Sequence, residues 1–365
     1  MTVSRYAERR ARAAAAAEAA GLAGLLVTPG PDLRYLTGYE PPPLERLTLL
    51  IVGPGREPLL LVPSLEEPAA ATAVGMAGVD VVAWRDGEDP YGLAARGLSD
   101  ARYAITDQTW ASHLLELERN APQCGFVATG RALPLLRAIK DDQEITALRA
   151  AARGADEAFG EVVTLAFAGR RELDVAADLD RLLRDHGHDR VEFTIVASGP
   201  NGASPHHDAG DRVIGPGDAV VMDFGGRAGG YYSDITRTVF VGEPDVEQRR
   251  VYEVVRAAQQ AAFDAVRPGA GAQDVDRAAR VVIADAGYGE RFLHRTGHGI
   301  GLEVHEHPYL VEGNETPLEP GMTFSDEPGI YLAGRFGVRI EDQVVVTEDG
   351  AERLNEATRD LVVVA

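Results

Sequence analysis

Two aspartates, Asp223 and Asp234, stand eleven positions apart in "VMDFGGRAGGYYSDIT", residues 221–236. The flanking runs DAVVMDF and DITRTVFV are apolar and β-branched, so the segment reads as two strands joined by a tight turn. With Ala228 and Gly229 as the turn residues, Asp223 faces Asp234 across the ladder. Opposed side chains in an antiparallel pair lie roughly 5 Å apart, where like charges destabilise the sheet and raise one another's pKa. A divalent cation removes that repulsion, and carboxylate oxygens suit Mn2+, Co2+ or Zn2+. The bland alternative is a hairpin end that points both carboxylates at water.

A second run, "HRTGHGIGLEVHEHPY" (294–309), holds His294, His298, His305 and His307, four of the nine histidines in the chain. A solvated loop explains one or two of them but not four. The spacing is not that of an HExxH helix, which removes that class of zinc site. Two more carboxylates occupy strand-like settings: Glu327 in "FSDEPGIYL", before a Pro-Gly kink, and Glu341 in "GVRIEDQVVV". Taken singly, each is an ordinary strand-surface residue. With two aspartates and a histidine they form an oxygen-rich donor set suited to a pair of hard or borderline divalent ions.

These residues need elements to carry them. The 365-residue chain has room for two domains and a sizeable core. Short apolar runs alternating with helical ones predict a small α/β domain over 1–132. A long charged amphipathic helix then opens a second domain over 133–365. Within it, "DVAADLDRLLRDHGH" (174–188) and "DVDRAARVVIADAGY" (274–288) echo one another at an offset of 100, matching at two aspartates, a valine and a glycine. Chance resemblance between helix-to-glycine segments is one explanation. The other is a duplicated helix–helix–strand unit in a pseudo-symmetric α+β domain, with a site between the halves.

Composition bounds the partners. The formal net charge of −21 argues against nucleic acid and anionic membranes. A single cysteine, Cys124, excludes an intrachain disulfide and a thiolate cluster. No signal-like or membrane-spanning apolar run stands out, so a cytoplasmic protein is expected.

In its motifs and their order (the D-x10-D hairpin, "GHGIGLEVHE", "EPGIY" and "VRIED", with "PDLRYLTGY" and "RAIKDDQEI" upstream) the chain resembles the pita-bread metallopeptidases, in the branch of Xaa-Pro aminopeptidases and prolidases. The resemblance spans the whole chain. It implies an α+β fold, with a creatinase-like α/β N-terminal domain before a pseudo-symmetric catalytic domain. It also implies two divalent metal ions, Mn2+ first with Co2+ or Zn2+ as alternatives, held by Asp223, Asp234, His298, Glu327 and Glu341. In the family pattern Asp234 and Glu341 bridge the metals, Asp223 serves one, and His298 with Glu327 the other. His206 and His305 match contacts to the transition state, and Glu327 the general base. His294, Tyr331 and Arg339 match the proline side of the site. The implied reaction is hydrolysis of the bond between an N-terminal residue and proline, in dipeptides or longer peptides, by a homodimer.

Three positions depart from the pattern. Asp326 precedes Glu327 where a small or aliphatic residue is usual, and strand alternation points it away from the site. His207 stands beside His206 where glycine or an aromatic is usual. Tyr309 replaces an arginine that in some prolidases pairs with the dipeptide carboxylate, a part left open to Arg339. The competing readings are a catalytically inactive peptide-binding homologue and creatinase-like hydrolysis of a small molecule without metal. The complete ligand set disfavours both. Methionine aminopeptidase is disfavoured by the N-terminal domain.

Overall fold

Short apolar runs punctuated by glycine and proline form six strands in the first of two compact units, Met1–Arg137 and Ala138–Ala365. The computed structural model describes residues 3–365. Strands β1 (Leu25–Val27), β2 (Leu49–Val52), β3 (Leu59–Pro63), β4 (Asp80–Trp84), β5 (Arg102–Ile105) and β6 (Gly125–Ala128) form one sheet in the order β4-β3-β2-β1-β5-β6. The pairs β1–β2 and β2–β3 are antiparallel and the rest parallel. β1 and β2 are buried throughout, which is why they read as continuous apolar runs rather than alternating ones. The unit's helices are α1 (Val3–Ala19), α2 (Pro31–Thr37), α3 (Glu67–Thr72), α4 (Pro90–Arg96), α5 (Ala111–Asn120) and α6 (Thr129–Ala132). Arg10 of α1 is buried because its guanidinium donates to the carbonyls of Leu36, Gly75 and Ala77.

The second unit starts at a strong helix signal. Asp141 caps α7 (Asp142–Val162), and Glu144 returns the bond to the Asp141 N–H, a reciprocal capping box. The helices α8 (Glu172–Asp185) and α10 (Ala272–Asp285) are each 14 residues long and start 100 positions apart, as the sequence echo implied. Each follows a longer helix, α7 or α9 (Val246–Ala265). A four-stranded sheet runs β17-β9-β8-β7, made of β7 (Arg190–Ser198), β8 (Ala219–Ala228), β9 (Tyr231–Val241) and β17 (Val362–Val364). A five-stranded sheet runs β11-β10-β12-β15-β16, made of β10 (Gly297–Gly299), β11 (Glu306–Leu310), β12 (Thr323–Asp326), β15 (Asp342–Val346) and β16 (Ala351–Arg353). A separate hairpin pairs β13 (Gly329–Leu332) with β14 (Phe336–Arg339). This is the α+β architecture that the resemblance implies.

Packing fixes which way the hairpin β8–β9 faces. Val220, Met222 and Phe224 of β8, with Ile235, Val239 and Val241 of β9, pack against Phe159, Val162, Leu179 and Leu183 of α7 and α8. Each such buried side chain contributes about 1.5–3 kcal/mol. Alternation then sends Asp223 and Asp234 to the opposite face.

The register differs from the sequence reading. The turn residues are Gly229 and Gly230, at φ 57° and 92°, with Ala228 paired to Tyr231. A two-residue turn with positive φ at both central positions matches the strand twist and favours glycine at both. A turn through Ala228 would force a Cβ into that region, at a cost of about 1–2 kcal/mol. Asp223 therefore pairs with Thr236 and Asp234 with Gly225. The two carboxylates are diagonal neighbours, not direct opposites. The slip is two residues, so their shared face survives it. Among the described residues no helix is long and apolar enough to cross a membrane.

Candidate metal centre

Four pieces of chain converge on one cavity of about 710 Å³. The hairpin supplies Asp223 and Asp234, strand β10 His298, the end of β12 Glu327, and the segment entering β15 Glu341. The backbone sets their mutual positions. The Glu341 N–H donates to the Thr236 carbonyl at 3.0 Å, and the Glu327 N–H to the Thr296 carbonyl at 2.8 Å. Gly297 lets β10 lie against β12, since a Cβ there would meet the Ser325 carbonyl at 1.8 Å. Asp276 of α10 holds the chain ahead of His298, accepting from Thr296 N at 2.9 Å and from its Oγ1 at 2.7 Å.

The donor set fits cations by its electrostatics. Nδ1 of His298 donates to the Gly299 carbonyl at 3.2 Å, which leaves the Nε2 lone pair facing inward. Burial, then the neighbouring His305, holds the His298 pKa well below its usual value, so the ring is neutral. Nε2 lies 3.6 Å from Asp234 Oδ2 and 3.4 Å from Glu327 Oε1. A lone pair facing carboxylates at those distances is repulsive unless a cation or a proton lies between them. Burial, reinforced by the other acids, pushes the pKa of Asp234 and of Glu341 well above the carboxylate range. Burial, with Asp223 adding to it, takes Glu327 to about 7. Asp223 Oδ1 is buried without a hydrogen-bond partner. Ligand atoms of Asp234, His298 and Glu341 all lie within 4.8 Å of one another. The residues present fit divalent metal ions.

The other expected site residues are distributed around the same space. His206, His294, His305 and Arg339 line the cavity, and His305 stacks edge-on against His298 at 4.0 Å. Tyr331 stands behind the wall, 2% exposed, and links two of its members. Arg339 Nη1 donates to Tyr331 Oη at 2.8 Å, and the tyrosine hydroxyl donates to His294 Nε2 at 2.7 Å. His294 Nδ1 completes the chain by donating to the Arg295 carbonyl at 2.8 Å. Burial, then Arg339, takes the His294 pKa down to about 3, which keeps the ring neutral and the chain directional. Arg339 is also paired with Asp223 at 2.6 Å and donates to Thr236 Oγ1 at 3.1 Å. It thus serves the site's own carboxylate as well as the wall of the cavity.

The three departures from the pattern find places too. Asp326 points away from the cavity, fully buried beside Asp342, and both its oxygens lack hydrogen-bond partners. Burial, with the charge of Asp342, raises its pKa well above the usual range, which favours the protonated acid. His207 turns from the cavity to Glu172, at 3.2 Å. Tyr309 is the cross-strand partner of His298, and the Arg295 guanidinium stacks on its ring at 4.3 Å. Sequence reasoning missed Arg295, which lines the cavity, and the apolar wall of Phe193, Ile195 and Val304. Arg295 sits inside the histidine-rich run, but nothing in its spacing marks it. It also missed Arg237, whose guanidinium donates to the carbonyls of Thr236, Glu341, Ala357 and Thr358 and to Asp342.

Comparison with known proteins shows the family. Residues 146–348 match the description "Metallopeptidase family M24" and residues 9–139 "Creatinase/Prolidase N-terminal domain". The chain is 49% identical over 363 residues to a probable dipeptidase PepE of Mycobacterium tuberculosis, covering 98% of this chain and 96% of the relative. It is 39% identical to an Xaa-Pro dipeptidase of Lactobacillus helveticus, covering 91% and 92%. A crystal structure of dipeptidase PepE from Mycobacterium ulcerans superposes with a TM-score of 0.95 at 48% identity, covering 100% and 99%.

Proposed function

The chain belongs to metallopeptidase family M24, and from that membership we propose that it is a hydrolase of the bond between an N-terminal residue and proline, acting on Xaa-Pro dipeptides. The observation that carries this reading is the set of inward-facing carboxylates with the bare His298 lone pair in one cavity. A metal-free creatinase-like reaction, or an inactive binding role, gives no reason to gather four carboxylates against that lone pair in one buried cavity. Asp223, Asp234, His298, Glu327 and Glu341 would hold two divalent ions. The oxygen-rich set favours Mn2+, with Co2+ and Zn2+ as alternatives. When bound, such ions supply a Lewis acid for the carbonyl and lower the pKa of a water.

The chain's own residues do the rest. Glu327, steadied by Ser325 Oγ at 3.3 Å, is placed to take a proton from the attacking water and return it to the leaving nitrogen. His206 and His305 face the same space and can donate to the developing oxyanion. An Xaa-Pro bond is a tertiary amide with no N–H, so the substrate is recognised by shape. Phe193, Ile195 and Val304 offer an apolar wall for the pyrrolidine ring. The chain from Arg339 through Tyr331 holds His294 beside it. Arg295, stacked on Tyr309, offers a guanidinium to the free carboxylate of a dipeptide. A homodimeric, cytoplasmic enzyme fits the family resemblance.

Assays of Ala-Pro against Ala-Pro-Ala, with defined metals, test the reading. Asp234→Ala or Glu341→Ala should abolish turnover and lower metal content. Arg295→Met should raise KM for Ala-Pro while leaving the tripeptide nearly unaffected. Full activity of either metal-site variant would overturn the metal assignment. An equal effect of Arg295→Met on both peptides would overturn the dipeptide preference.

A further inference from the structure

Two of the site histidines, His206 and His305, are exposed, and among the described residues no hydrogen bond holds either imidazole, whereas His294 and His298 are each fixed through Nδ1. His305 is braced edge-on against the His298 ring at 4.0 Å, a support that His206 lacks. The place of His206 over the cavity is therefore set by the backbone of the loop that follows β7. That loop is wrapped around a carboxylate. Glu172, the first residue of α8, is fully buried and accepts from five donor groups. Ser198 N and Oγ reach Oε1 at 2.7 Å each, and Asn201 Nδ2 at 3.0 Å. His207 Nε2 and Gly210 N reach Oε2 at 3.2 Å each. All five lie within residues 198–210, on both sides of His206. The Glu172 and Leu173 N–H groups donate to the carbonyls of Arg212 and Gly210, tying the start of the helix to the same loop.

A buried charge is costly unless its hydrogen bonds are complete, and here they are. Burial alone would raise the Glu172 pKa, but the donors from Ser198, Asn201 and Gly210 outweigh it and hold the group ionised. The duplicated half shows that the helix itself does not require the carboxylate. α10 starts at the equivalent position with Ala272, which is also fully buried. The acid at 172 belongs to the loop.

We infer that Glu172 is a positioning residue for His206, a claim that rests on the Xaa-Pro hydrolase reading for its catalytic consequence. Glu172 touches no substrate. It fixes the loop at Asn201 and His207, and two successive turns, closed by Ser204 N to the Asn201 carbonyl at 3.0 Å and by His207 N to the Ser204 carbonyl at 3.2 Å, carry His206 between them. Displacing a group by about 1 Å through a remote substitution can cost about 100-fold in rate.

The test compares Glu172→Ala, Glu172→Gln, His206→Ala and the double variant Glu172→Ala/His206→Ala in the metal-loaded protein. Glu172→Ala should lower kcat for Ala-Pro by about 100-fold, with unchanged metal content. The double variant should be no slower than His206→Ala alone, because the positioned group is already gone. Glu172→Gln keeps an acceptor for Ser198 but presents N–H groups to His207 and Gly210, and should fall between. Multiplying losses, or metal content falling in step with activity, overturns the inference. If Glu172→Ala does not fold, Asn201→Ala/His207→Ala removes the two donors that flank His206 and should also lower kcat with metal content kept. An unchanged kcat there overturns the inference. A crystal structure of Glu172→Gln reads the loop directly. His206 unmoved refutes the positioning role whatever the activity, whereas an inert wild-type enzyme on Xaa-Pro peptides refutes only the functional reading.

Discussion

Adding metal to the stripped protein should expel protons, in a number that falls as pH rises. With no cation, burial and mutual repulsion keep Glu327 protonated up to about pH 7, and Asp234 and Glu341 are pushed well above the usual range. Metal binds the ionised carboxylates, so protons compete with it and affinity weakens as pH falls. A group with a pKa of about 7 is roughly 90% protonated at pH 6 and 10% at pH 8. Glu327 alone should therefore release about 0.9 proton at pH 6, with Asp234 and Glu341 adding to it. His298 contributes none, because its pKa lies well below 6.5. Below pH 7 the apparent affinity should drop by about tenfold per pH unit for each proton displaced.

Titration calorimetry with Mn2+, in buffers of contrasting ionisation enthalpy between pH 6 and 8, counts the protons. Infrared difference spectra at pH 6 should show protonated carboxyl bands disappearing as metal is added. Asp326 is an internal control, since it faces away from the cavity and its acid band should persist. Near-zero release at pH 6, where a metal-bound water adds least, would mean that the metal-free carboxylates are already ionised. The electrostatic reasoning that identifies the site would then fail.

Two further substitutions probe the scaffold. Asp342 takes the charges of Arg237 at 2.6 Å and of Arg353 and Arg359 at 3.2 Å, all buried or half-buried, whereas Asp326 beside it favours the protonated acid. Asp342→Asn should cost about 3–5 kcal/mol, a fall of roughly 6–20 °C in Tm, and Asp326→Asn less than about 1 kcal/mol. Equal losses in thermal melts would refute the assignment of charge. Gly230→Ala places a Cβ at φ 92° and should cost about 1–2 kcal/mol while metal stoichiometry is kept, because the face of each aspartate does not depend on the turn. A lost metal would show that the turn also fixes the site.

The opening hairpin shows what a sequence can and cannot specify. Alternation with period two placed Asp223 and Asp234 on one face, and any even slip of the ladder preserves that. The register itself was misread because Ala-Gly and Gly-Gly both look like turns. Only the positive φ at Gly229 and Gly230 separates them. The offset of 100 between α8 and α10 was legible because helix starts and glycine stops leave local marks.

What stayed hidden shares one cause. Arg295 is marked by its stacking on Tyr309, fourteen residues on, and Arg237 by carbonyls more than 100 residues away. Glu172 is defined by donors 26 to 38 positions along the chain, and in the sequence it is merely a polar residue at a helix start. Ligands on strands inherit their direction from the backbone, so residue type and parity suffice to find them. A group on a loop has no such parity. His206 was found by its family motif, but the contacts that hold it in place could not be, because they belong to the three-dimensional closure of the loop around Glu172. Residues that bear chemistry on strands are therefore readable one at a time, whereas those on loops are readable only together with the buried groups that anchor them.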